Sequence, residues 1–127
     1  MSSQTLCSGR KFTIEFAVRS NGTMPAKDFY DNELSEEERS KLKPPFTRLA
    51  DDGRVDNRER FKKVEGTEEL FEFKSHQVRI LGFFLRGGRF VLTHGLRKKQ
   101  DKLPKSEIKV AEAIRAEHIK REQSAKH

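Results

Sequence analysis

The sequence predicts an α+β domain built in the order strand, helix, helix, three strands, helix. Three observations carry that expectation. Phe12, Ile14 and Phe16 alternate with Lys11, Thr13 and Glu15, the period of two of a strand with one buried face, over about 11–18. Two stretches between Pro25 and Gly53 carry apolar residues at helical spacing. After residue 69, three apolar runs follow one another through short turns, and a final helical pattern closes the chain. The expected architecture is an N-terminal strand, a two-helix hairpin, a three-stranded antiparallel meander and a C-terminal helix.

Each element has local signals. Ser20-Asn21-Gly22 forms a turn after the first strand. Pro25 opens the first helix, where a missing N–H is tolerated, and Ala26, Phe29, Tyr30 and Leu34 repeat on one face. Ser35 with Glu38 is a capping box for the second helix, and Gly53 ends it. Leu42, Phe46 and Leu49 form its apolar stripe. Pro44 and Pro45 remove two amide donors, which predicts a break or kink near Lys43. Residues 54–66 read as a polar connection containing Phe61 and Val64.

Leu70, Phe71 and Phe73 mark the first strand of the meander. Val78 to Leu85 is nearly all apolar, as expected of a central strand covered on both faces. Arg86-Gly87-Gly88-Arg89 is a tight hairpin leading into Phe90, Val91 and Leu92. Pro104 starts the last helix, about 104–122, with Ile108, Ala111 and Ile114 toward the core. Residues 10–123 form the single domain, and 1–9 and 124–127 are expected to be disordered ends.

Composition narrows the function. The 127 residues are 37% charged and 33% hydrophobic, with a formal charge of +7. Residues 28–60 hold ten acids and seven bases, whereas 94–127 hold ten bases and five acids. The basic end is the candidate for contacting phosphate, since such a balance favours polyanionic partners. Cys7 is the sole cysteine, which rules out an internal disulfide and agrees with a reducing cytoplasm. Val78 to Leu85 is too short to cross a bilayer and no signal-peptide pattern opens the chain, so no membrane association is expected. The four histidines show no metal-ligand spacing, and Gly87-Gly88 is a turn rather than a phosphate loop.

The chemistry-bearing residues concentrate between positions 74 and 102. Arg79 lies inside an apolar run, where a charge is costly unless it reaches a carboxylate such as Glu72 or lines a groove. His94 ends a strand and precedes the basic loop Arg97-Lys98-Lys99 with Lys102. Lys74 and His76 flank a short connection between strands. His118 continues the Ala111–Ile114 stripe and reads as a packed helix-face residue.

An ordered set of segments resembles a known family. It begins with Phe61-Lys62-Lys63-Val64-Glu65-Gly66-Thr67 and Leu70 to Ile80. It continues through Gly87 to Lys99 and closes with Asp101 to Ile108. Leu34 to Arg39 and Leu49 to Gly53 match more loosely. Together they resemble the RelE/ParE toxin superfamily, and more closely its phage-derived HigB-type branch. That resemblance implies a RelE-like fold and a toxin of a type II toxin–antitoxin system.

The activity it implies is endoribonucleolytic cleavage of mRNA, ribosome-dependent, by attack of a ribose 2′-hydroxyl on the neighbouring phosphate, with no metal or other cofactor. The implied partners are a cognate helix-turn-helix antitoxin, mRNA and the ribosome, and operator DNA through the antitoxin complex.

By the resemblance, Arg79 matches an arginine beside the scissile phosphate, Arg97 a second one, and Lys74 a further basic residue. Two lysines of the RelE branch correspond here to Leu70 and Glu72. Its C-terminal tyrosine has no counterpart, because Tyr30 is the only tyrosine. His94, Lys98 and Lys99 therefore join Arg79 and Arg97 as the catalytic candidates, with Lys74, His76 and Lys102 as RNA contacts. Two other readings stand beside this one: a ParE-like protein that binds DNA gyrase without nuclease activity, and a non-catalytic RNA- or DNA-binding phage accessory protein.

Overall fold

In the computed structural model, which describes residues 4–98 and 102–125, the chain is an α+β domain around one six-stranded sheet. The elements in order are β1 (Thr5–Ser8), β2 (Thr13–Phe16), α1 (Pro25–Asp28), α2 (Glu36–Asp52), β3 (Phe61–Lys63), β4 (Phe71–Ser75), β5 (Val78–Leu85), β6 (Arg89–Arg97) and α3 (Lys105–Ala125). A π-helical turn, Phe29–Glu33, continues α1. The sheet order is β1-β2-β6-β5-β4-β3, with β2 parallel to β6 and every other pair antiparallel.

The expected strands, helical hairpin, meander and last helix are present, and two further strands extend the sheet at its edges. β1 falls within residues 1–9, so Thr5–Ser8 are ordered, paired to β2 from Thr5↔Glu15 to Ser8↔Thr13. β3 falls within the supposed connection 54–66, where Phe61 pairs Phe73 and Lys63 pairs Phe71. Both strands are three or four residues long, too short to display a period. At the other end, α3 takes in Ser124 and Ala125 of the expected tail.

The hairpin is built as its sequence signals require. Ser35 Oγ accepts from Glu38 N at 3.1 Å, and Glu38 Oε1 accepts from Ser35 N at 2.9 Å, completing the capping box. Gly53 ends α2 at φ 82°, its N–H bound to Leu49 O. The expected break at the prolines does not occur: α2 runs from Glu36 to Asp52 through Pro44 and Pro45. The carbonyls deprived of a donor belong to Ser40 and Lys41, both exposed, so water can satisfy them.

Helices cover both faces of the sheet. Ile14, Phe16, Phe73, Ile80, Phe90 and Leu92 pack with Phe29, Tyr30, Leu42, Phe46 and Leu49 of the helical hairpin. Leu81, Phe83 and Val91 pack on the opposite face with Ala111 and Ile114 of α3. This explains the apolar run of β5, buried on both sides from Val78 to Phe83. Val110 of α3 is exposed.

One irregularity decides where the charged residues go. Leu81 pairs His94, while the next residue, Gly82, pairs Leu92. Thr93 is therefore an extra residue in β6, a β-bulge that shifts side-chain alternation by one. Its Oγ1 donates to Leu81 O at 3.2 Å. Before the bulge, Val91 faces α3 and Phe90 and Leu92 face the hairpin. After it, Leu96 packs in the α3-side core, whereas a Cβ on Gly95 would enter the ring of Phe29 on the hairpin side.

Candidate functional site

Strand alternation gathers a group of charges on the α3 face, at the β3 side of the sheet. In β4, Phe73 packs into the hairpin-side core, so Glu72 and Lys74 point the other way. Glu72 lies opposite Leu81 and Lys74 opposite Arg79. In β3, Phe61 takes the hairpin side, which leaves Lys62, paired with Glu72, on the α3 side. Lys98, just past β6, continues the ladder through its N–H to Gln77 O at 2.8 Å. Lys62, Lys74, Arg79 and Lys98 thus surround one carboxylate, Glu72.

Arg79 and Glu72 are 8% and 2% exposed. Arg79 Nε lies 3.3 Å from Glu72 Oε1, and its Nη1 donates to the carbonyls of Val78 and His76. The buried arginine is therefore both carboxylate-paired and fixed by the β4–β5 turn. His76 holds that turn at φ 54°, in the left-handed region. Lys98 is also buried, which lowers its pKa from the ordinary lysine value; Glu72 opposes this, and Arg79, Lys62 and Lys74 reinforce it.

Glu72 and Lys62 also form part of the wall of a cavity of about 610 Å³ between β3–β4 and the start of α3. Val64, Leu103 and Ile108 make its apolar side, and Lys102, Lys105 and Lys109 add positive charge. This volume is within the range of small-molecule sites.

The other expected site residues lie elsewhere. Arg97 falls on the hairpin side because of the Thr93 bulge, so it does not join Arg79. Its guanidinium grips both carboxylate oxygens of Glu38 and donates to Glu33 O at 2.9 Å. Glu38 is held well down, to about 2, first by Arg97 and then by the Ser35 backbone. The side chain of His76 borders the same hairpin-side groove as Arg97 and Lys41.

His94 faces α3 with its Nε2 2.9 Å from Glu107 Oε1, while its Nδ1 lies 3.3 Å from Thr93 Oγ1, whose proton goes to Leu81 O. Burial pushes its pKa down more than Glu107 raises it, so the ring is neutral near pH 7 and donates Nε2–H to Glu107. Lys99 lies outside the described residues.

His118 is 1% exposed and accepts from Val18 N at Nδ1, 3.0 Å away, as a packed helix-face residue would. Among the described residues, Glu15, His118 and Glu122 are close enough to hold a metal ion. A cation already sits between those carboxylates: Arg89 bonds Glu15 through Nε and Nη2 at 2.8 Å and Glu122 through Nη1 at 2.9 Å. With Nδ1 unprotonated and accepting the hydrogen bond from Val18 N–H, His118 could ligate through Nε2 only as an imidazolate, so the trio does not suit a metal.

Sequence reasoning missed Lys62, Lys105 and Lys109. Alternation at Phe61-Lys62-Lys63 was the available signal for Lys62, but three residues are too few to fix a phase.

Fold and site together define a small basic α+β protein whose sheet presents clustered cations beside a cavity, an arrangement suited to a phosphate-bearing ligand. Residues 31–116 match the family described as Phage derived protein Gp49-like (DUF891), and this chain belongs to that family. The matched stretch takes in Lys62, Glu72, Lys74, Arg79 and Lys98. No curated protein matches the chain. Among the described residues no helix is long and apolar enough to cross a membrane.

Proposed function

We propose that this protein is the toxin of a type II toxin–antitoxin system of the HigB type, a metal-independent endoribonuclease that cuts mRNA on the ribosome. The observation that carries the reading is the convergence of Lys62, Lys74, Arg79 and Lys98 on one sheet face. Cleavage by a 2′-hydroxyl passes through a pentavalent phosphorane with added negative charge, which preorganised cations stabilise. Arg79, held on three sides, is the phosphate anchor, with Lys62 and Lys74 beside it. Lys98, whose pKa burial lowers from the ordinary lysine value, donates to the leaving 5′-oxygen. Lys102 extends the RNA contact along the cavity. Arg97 and His94, each engaged elsewhere, hold the framework.

The partners are those that the resemblance implies. A cytoplasmic helix-turn-helix antitoxin with an acidic segment would cover the cations and silence the enzyme, and the complex would bind operator DNA.

The test is translation in a purified cell-free system with primer extension on the message. Wild type is expected to make discrete cuts within translated codons. Arg79→Lys keeps the charge but loses the planar fork, and is expected to cut about 10²-fold more slowly. Intact message and normal translation with wild type would overturn the reading in favour of a gyrase-binding or non-catalytic protein.

A further inference from the structure

We propose that Glu72 is the general base, the group that takes the proton from the attacking 2′-hydroxyl; the assignment rests on the ribonuclease reading above. Three observations meet at this residue.

Glu72 is almost wholly buried, yet it forms part of the wall of the 610 Å³ cavity. Its Oε1 lies near Arg79 Nε, but among the described residues it accepts no hydrogen bond. The ion pair with Arg79 offsets part of the cost of burial, and the oxygen keeps acceptor capacity that a ligand or a water in the cavity can use.

Cations face the carboxylate from every strand around it: Lys62 on β3, Lys74 on β4, Arg79 on β5 and Lys98 beyond β6. A phosphodiester attracted to these groups brings its adjoining ribose to Glu72, the carboxylate that they enclose among the described residues. The other acids that line the cavity among the described residues, Glu65 and Glu112, are exposed.

Lys98 supplies the complementary proton. The 2′-O–H bond breaks, and its proton goes to a Glu72 oxygen. The freed electron pair forms the 2′-O–P bond as the P–O5′ bond breaks, and the leaving oxygen takes a proton from the Lys98 ammonium. The products are a 2′,3′-cyclic phosphate and a 5′-hydroxyl end. Glu72 is left protonated and Lys98 neutral, and one proton passed back through water restores both.

The experiment is single-turnover cleavage of a ribosome-bound message at a cut site mapped by primer extension. Each protein meets two substrates, the natural one and one with sulfur replacing the bridging 5′-oxygen. A thiolate leaves without a proton, so the sulfur substrate rescues loss of the acid but not of the base. Lys98→Ala is expected to lose about 10²–10⁴ in rate on oxygen and to recover on sulfur. Glu72→Gln is expected to lose a comparable factor on both. Glu72→Asp, which keeps a carboxylate should the glutamine variant not fold, loses less, equally on both substrates.

Wild-type rates in Glu72→Gln, or recovery of either Glu72 variant on sulfur, would overturn the assignment while leaving the ribonuclease reading intact. A wild type that cuts neither substrate would remove both.

Discussion

Arg79 and Glu72 form a buried pair, and removing one member differs in effect from replacing both. Taking away Arg79 leaves the Glu72 carboxylate in the interior with its closest counter-charge gone. Breaking such a pair costs about 3–5 kcal/mol, whereas replacing both members with apolar residues of similar size is often neutral. Arg79→Ala is therefore expected to lower stability to urea by that amount, and Arg79→Met with Glu72→Met to recover most of it. Equal losses in the single and double variants would mean that the pair is not coupled. The same reasoning makes Arg79→Lys the better probe of activity.

His94 gives a pH signature at the same scale. Its folded pKa lies below the unfolded value of about 6.5. Above pH 7 both states are neutral and the group is silent. As pH falls through 6.5, the unfolded chain binds a proton that the folded one refuses, so stability drops. His94→Gln, which keeps a donor for Glu107, is expected to flatten the fall in urea midpoint between pH 7.5 and 5.5. Parallel profiles for the two proteins would contradict the buried, neutral ring.

Among the elements, β6 and α2 are joined by Arg97 and Glu38. Glu38 has a folded pKa of about 2, below the usual carboxylate range, so its stabilising effect is full above the unfolded value and is lost as pH falls toward 2. The stability gap between wild type and Arg97→Met is expected to hold from pH 7 to 5 and to close in acid. Arg97→Met is also expected to keep message cleavage, because its side chain lies across the sheet from Lys98. Loss of cleavage in a folded Arg97→Met protein would put that arginine back in the chemistry. Gly95, two residues earlier, is required because any Cβ there meets Phe29. Gly95→Ala is expected to cost about 1–3 kcal/mol, read as a lowered urea midpoint.

For the whole molecule, the feature that matters is a sheet with two cores. The α3 core is the smaller, built on Leu81, Phe83, Val91, Ala111 and Ile114. Ile114→Ala removes a fully buried side chain there and is expected to cost about 2–5 kcal/mol by urea denaturation. Arg89 locks the same helix to the sheet by joining Glu122 of α3 to Glu15 of β2. Since α3 walls the cavity, the ribonuclease reading predicts that loosening this helix weakens cleavage before the sheet unfolds. Ile114→Val, a smaller change, tests this as a fall in cleavage rate at a temperature where the protein remains folded.

Much of the architecture was legible because its signals are local. The capping box at Ser35–Glu38, the Gly87-Gly88 turn and the continuous apolar run of β5 each determine their element through contacts a few residues apart. The same holds for the basic character of the 94–127 segment and for the identity of Arg79 as a charge that had to find Glu72 or a groove. The edge strands β1 and β3 were not legible, since strands of three or four residues become strands only when the sheet supplies their hydrogen bonds. Nor was the continuity of α2 through Pro44 and Pro45, where the residues whose carbonyls lose a donor, Ser40 and Lys41, are exposed. The grouping of the site was decided by tertiary structure alone. Unbroken alternation from Val91 would carry Arg97 to the α3 face and Lys98 away from it. The Thr93 bulge reverses that choice, because one extra residue in a strand of period two exchanges its faces, and no local pattern in the sequence announces where β6 and β5 slip against each other.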